Sequence, residues 1–211
     1  MELQALIAHL RQYTGIAQKR AIDGVLSRFD LQRHVGAANG VPLVGDDCAV
    51  IPRADGNLLF AIEGFMNEFV VADPWFAGWC GVMVNVSDIA AMGGWPIAVV
   101  DALWSDGHEK AKPVIDGMKA ASQAFGVPIV GGHSNTRSQQ QLAVAVLGQA
   151  NALISSFTAA PGDALVAAID LRGQYRAPFD NWNAATDAPP ERLRGDIALL
   201  PQIAAEGLAH A

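Results

Sequence analysis

Cysteine is scarce in this chain: Cys48 and Cys80 are the only two among 211 residues. Two thiols are too few for a disulfide framework or a cysteine-built zinc site, and each reads as a small buried apolar side chain. Charge is thin as well. Charged residues make up 17% against 51% hydrophobic ones, the balance of a chain that buries a core rather than one that stays disordered. An excess of positive charge is also missing. The net charge of -7 and pI near 5.1 exclude a broad basic face for nucleic acid, although local donors and a cation can still hold a small anion. No long apolar run is present either. The uncharged-looking stretch from 138 to 162 is broken by Gln139, Gln140, Gln141, Gln149, Asn151 and Pro161, so it is no membrane span. The opening MELQALIAHLRQYTG lacks the apolar core and cleavage site of a secretory signal and reads as an amphipathic helix. The expectation is a soluble cytoplasmic protein without a membrane or nucleic-acid partner. Neither G-x-x-x-x-G-K-[ST] nor G-x-G-x-x-G occurs, which removes the two common nucleotide loops.

What is present alternates. NLLFAIEGF (57–65) reads as a strand after the turn RADGN. In WFAGWCGVMVNVSDIAAMGGWP, Trp79, Val82, Val86, Ile89 and Ala90 recur at helical spacing, and Gly93, Gly94 and Pro96 form a stop. PIAVVDALW is a buried strand, within which Asp101 marks an end. HEKAKPVIDGMKAASQAFGV is an amphipathic helix with Val114, Ile115, Met118, Ala121 and Phe125 on its core stripe. VPIVGG and QLAVAVLGQA are two more strands around a polar loop, HSNTRSQQ. The class is α+β: a mixed sheet with helices on one face. A domain over 1–152 is expected, then the first part of a second domain over 153–211. Those last sixty or so residues offer one strand, in AAPGDALVAAIDLRG (159–173) behind its Pro-Gly turn, and one helix, IALLPQIAAEGLAHA, too little for a core of their own, and the chain stops in helical rhythm.

Three patterns carry chemistry. In VGDDCAVIP, Asp46 and Asp47 stand side by side, and paired carboxylates are costly to desolvate unless a cation or several donors compensate. They either close a solvated turn or hold a metal. In NVSDIAAMGG, Gly81, Asn85, Asp88 and Met92 share one helical stripe beside the core stripe. Asp88 is the only carboxylate of that helix and needs a partner; the plain alternative is an Asn and an Asp on a solvated face. In IVGGHSNTRS, Gly131 and Gly132 follow a strand, where missing Cβ atoms let backbone amides approach a phosphate, and His133 follows as a donor. An ordinary turn rich in Gly, Ser and Asn reads equally from those letters. Glu63 after its strand is a metal-ligand candidate or a surface carboxylate. Lys19 and Arg20 are an anion-binding pair or a solvated one.

The order GDDCAVI, NVSDIAAMGGWP, GGHSN, PGDALV resembles the superfamily of aminoimidazole ribonucleotide synthetase, which includes thiamine-monophosphate kinase and selenophosphate synthetase. The first two motifs are most similar to the kinase. The resemblance implies an N-terminal α+β domain that dimerises through its sheet, a C-terminal α/β domain, and ATP between them with its phosphates on Mg²⁺. It implies that Asp46 or Asp47, with Asp88, binds magnesium and that Asn85 lies near the phosphates; together with the residue patterns this makes Asp46, Asp47, Asp88 and Glu63 the expected metal residues and Asn85, Gly131, Gly132 and Lys19 the expected nucleotide contacts. Two positions depart from the kinase. Where it has an aspartate ligand this chain has His133, as selenophosphate synthetase does, and imidazole is a poor magnesium ligand and a better donor. Glu63 replaces another aspartate. The expectation is therefore an ATP- and Mg²⁺-dependent enzyme acting on a small molecule, with His133 and Asn85 in catalytic roles. Thiamine-monophosphate kinase proper and a non-catalytic nucleotide-binding dimer are the alternatives.

Overall fold

The computed structural model describes residues 2–13, 16, 24–25, 28–29, 44–177 and 181–211. Lys19, Arg20 and His34 lie outside them. The chain divides into two compact units, residues 1–37 and 38–211. In the first, the amphipathic opening is helix α1 (Leu3–Gln12).

The second unit is built on β1 (Ala49–Arg53), β2 (Gly56–Gly64), α2 (Asn67–Ala72), α3 (Pro74–Ala91), β3 (Trp95–Ser105), α4 (His108–Phe125), β4 (Ile129–Thr136) and β5 (Gln141–Ala150). After these come a one-turn 3₁₀ helix (Ser156–Thr158), the hairpin β6 (Gln174–Arg176) and β7 (Asn181–Asn183), and α5 (Pro190–Ala205). The sheet is mixed and five-stranded, in the order β1-β2-β5-β3-β4, with only β3 and β4 parallel across the α4 crossover.

Alternation sorts the two faces. Leu59, Ala61, Val144 and Val146 are buried beneath the helices, whereas their neighbours Phe60 and Ile62 are 45% and 67% exposed on the other side. Register places Ile51, Phe60, Ile62, Val100, Ala145 and Leu147 on that second face, which none of the described helices of this unit covers.

Helix α3 starts where Asp73 accepts from the Phe76 N–H at 3.3 Å and Pro74 supplies a first-turn residue without a donor. It stops at Gly93, whose φ of +75° suits glycine; the Gly94 and Gly93 N–H groups return to the carbonyls of Ile89 and Ala90. Against it lies α4, so close that a Cβ on Gly117 would stand 1.9 Å from the Trp75 carbonyl oxygen. Arg194 of α5 donates to the carbonyls of Ala124 and Gln123 and caps the far end of α4.

Three sequence expectations change. GGHSNT continues β4, paired through to Thr136, so the loop shrinks to residues 137–140: backbone pairing with β3 outweighs the turn-forming letters. Ile115 is 41% exposed rather than on the core stripe, because Val114 and Met118 take the face against α3. Residues 164–170 read as a strand but run without a ladder partner among the described residues, with Leu165 and Val166 almost wholly exposed.

Candidate functional site

The paired aspartates sit in the bend before β1. Gly45 enters it at φ +102°, a conformation that favours glycine, with the Phe157 ring against it. The Asp46 carboxylate accepts from Ser155 Oγ (2.7 Å), the Ser156 N–H (2.9 Å) and Ser156 Oγ (2.8 Å). Its Oδ1 also accepts from the Asp47 N–H at 3.2 Å. Asp47 is exposed and Cys48 is buried. The Cys48 thiol is pushed far above its ordinary value, first by burial and then by the negative charges of Asp88, Asp47 and Asp46. Negative charge from two separate stretches of sequence thus acts on one buried thiol.

Helix α3 brings Asp88 to this place, half-buried. One turn earlier Asn85 is fully buried: its Nδ2 donates to the Gly81 carbonyl at 2.8 Å, and its Oδ1 has no hydrogen-bond partner among the described residues. Gly81 lets the helix approach the sheet, since a Cβ there would stand 2.8 Å from Val144 Cγ2. Glu63, exposed near the end of β2, pairs with that same Val144 and so lies on the α3 side of the sheet.

The second constellation is elsewhere. Gly132 pairs with Asp101, and a Cβ on it would fall 2.3 Å from Asp101 Oδ1, so this glycine is required by a neighbouring carboxylate. Asp101 is itself held above its ordinary acidity range by burial. At Gly131 a Cβ would meet nothing within 4 Å. His133 pairs with Ala102 and projects from the uncovered face, its ring 6.3 Å from that of Trp104. The structure therefore brings the charges of Asp46, Asp47 and Asp88 to bear on Cys48, with Asn85 one turn before Asp88; Glu63 shares only their side of the sheet, and Gly131, Gly132 and His133 stand on the opposite edge strand.

Sequence reasoning missed Ser155 and Ser156. They lie 109 and 110 residues from the aspartate they bind, and no local pattern links them. It also treated Cys48 only as filler.

Among the described residues, no three His, Cys, Asp or Glu side chains form a metal cage of their own. The donor set still fits magnesium, which is commonly held by one or two carboxylates together with phosphate oxygens and waters. Asp47 and Asp88 offer hard oxygens, and the protonated Cys48 does not compete. Away from these residues, at the start of α3, a groove of about 700 Å³ opens between α2, the start of α4 and the β4–β5 turn, lined by Glu68, Pro74, Asp106, Lys110 and Gln140. Among the described residues no helix is long and apolar enough to cross a membrane.

Comparison with known proteins gives three findings. The model of the AIR synthase related protein N-terminal domain matches residues 45–150. An uncharacterised protein of Synechocystis sp. is 50% identical over 99% of this chain, and a thiamine-monophosphate kinase of Methanospirillum hungatei is 26% identical over 81% of it. The chain spans 65% and 63% of the length of these two relatives. The solved PurL of Thermotoga maritima in complex with ADP superposes with a TM-score of 0.61 at 20% identity, over 83% of this chain and 29% of that one, a likeness of fold.

Proposed function

The chain belongs to the AIR synthase-related family, and on that premise we propose that it serves ATP- and Mg²⁺-dependent phosphoryl transfer to, or phosphate activation of, a small molecule. One observation carries the reading: hydrogen bonds through Ser155 and Met92 tie the Asp46–Asp47 bend to the end of α3 that carries Asp88, 41 residues after Asp47, and the charges of all three carboxylates act on the buried Cys48. Such a concentration of negative charge is costly unless a cation or several donors offset it, and magnesium would add to the donors already at Asp46. Asp47 and Asp88 are the proposed ligands, and Glu63 lies on the same side of the sheet. Bound magnesium would neutralise phosphate charge during transfer. The chain's own residues hold and orient: the loop at Asp46 fixes the approach of Asp47, and Asn85 backs the site from inside α3. Thiamine monophosphate is one acceptor to test.

This reading calls for two copies of the chain. Four strand spacings separate β1 from β4, roughly 19 Å across the sheet, too far for one triphosphate to touch both Asp47 and His133 of one chain. A second copy laid on the uncovered apolar face would bring its own β4, with Gly131, Gly132 and His133, toward the first copy's aspartates. The exposure of Phe60 and Ile62 supports that face as the contact. The two-domain division at 152/153 completes the proposal, with the later segment supplying part of a second wall.

Calorimetric titration of ATP with and without Mg²⁺ tests it, using wild type and Asp88→Asn. Binding should require Mg²⁺ and vanish in the variant, which loses one charge at nearly constant volume. Equal affinity in the variant would remove the metal role.

A further inference from the structure

We infer that Asp46, unlike its neighbour, is a positioning residue: its carboxylate is a strut that fixes Asp47 relative to Asp88. The inference rests on the reading of Asp47 and Asp88 as the cation ligands. A carboxylate offers about four lone-pair sites. At Asp46 four donors occupy them: Ser155 Oγ and the Ser156 N–H on Oδ2, Ser156 Oγ and the Asp47 N–H on Oδ1. Little acceptor capacity remains for a cation, and the bonds are charge-assisted, the strong kind.

The other end of the strut is anchored to the helix that carries Asp88. Ser155 is 1% exposed and its N–H donates to the His210 carbonyl at 3.1 Å. One residue earlier, the Ile154 N–H donates to the Met92 carbonyl at 3.2 Å, and the Met92 N–H returns to the Asp88 carbonyl at 3.3 Å. From the Asp46 carboxylate to the backbone of Asp88 the path is covalent except at three hydrogen-bonded junctions. Gly45 and the buried Cys48 hold the bend from either side. The spacing between Asp47 and Asp88 is therefore set through Ser155 and Ser156.

Groups that orient ligands without binding metal typically change metal affinity 10- to 100-fold when removed. The test measures the Mg²⁺ concentration at half-maximal ATP binding in the full chain, together with hydrogen exchange of amides 44–48. The Ser155→Ala/Ser156→Ala variant should raise the Mg²⁺ midpoint about 10-fold or more. Asp46→Asn should raise it by a similar factor, and the triple variant no further, because all three remove one strut. Ser156→Thr keeps the hydroxyl at an exposed position and should return the wild-type midpoint. Exchange at 44–48 should quicken in the serine variant even without nucleotide.

An unchanged midpoint in the serine variant alongside lost binding in Asp46→Asn would make Asp46 a ligand and overturn the strut. Unchanged exchange at 44–48 would overturn it whatever the nucleotide does. If wild type binds ATP without Mg²⁺ dependence, the metal reading falls and this inference falls with it.

Discussion

Gly117→Ala sets two effects of opposite sign against each other. Within a helix, alanine is ordinarily favoured over glycine by about 0.5–1 kcal/mol, because it leaves less backbone freedom to lose. At Gly117 the added methyl would stand 1.9 Å from the Trp75 oxygen and 2.9 Å from the Trp79 nitrogen, both backbone atoms of α3. Reaching ordinary contact needs a displacement of roughly 1.5 Å, and no rotamer change can supply it. The helices are locked from both sides, since a Cβ on Gly78 would lie 2.0 Å from the Val114 oxygen of α4. Overpacking of this kind costs about 1–3 kcal/mol and occasionally more. The clash wins, for a net loss of about 1–2.5 kcal/mol or a Tm lower by about 2–10 °C in a protein of this size. Gly195→Ala is the control. It lies in α5 with nothing within 4 Å of the new methyl, so the same substitution should raise Tm by about 1–4 °C. Thermal unfolding followed by circular dichroism reads both. If Gly117→Ala matches Gly195→Ala in sign, the backbone contact between α3 and α4 is not what the structure describes. Because α3 carries Asp88, MgATP binding should weaken in Gly117→Ala and hold in Gly195→Ala.

Two other outcomes follow from the sheet. Ile62→Glu puts a charge on the uncovered apolar face; light scattering at micromolar concentration should show a dimer for wild type and a monomer for the variant, and a wild-type monomer refutes the pairing. Asp101 has its acidity weakened by burial, so the folded state holds this proton more tightly than the unfolded chain does. The resulting stability is present below the ordinary value of 3.8 and is lost as pH rises through the higher folded value. Asp101→Asn should flatten that part of the curve of denaturant midpoint against pH, and an unaltered slope there would show that Asp101 is not the group responsible.

Periodicity determined much of this protein. The 3.6-residue stripes of α3 and α4, with glycine stops at Gly93 and Gly126, and the apolar runs of β2, β3 and β5 depend on near neighbours in the chain, and near neighbours can be read from letters. The same letters carried GDD and NVSDIAAM, hence Asp46, Asp47 and Asp88. Tertiary structure decided what those residues face. GGHSNT looks like a loop until β3 pairs with it, and Gly132 looks like a phosphate glycine until Asp101 stands beneath it. Adjacent aspartates look equivalent until Ser155 and Ser156, more than a hundred residues away, take up one of them. Asn85 sits on a stripe that could be wet or dry, and only packing against β5 makes it fully buried. Hydrogen bonds and contacts between distant segments leave no period in the sequence, because their spacing is fixed by the fold rather than by the repeat of a helix or strand.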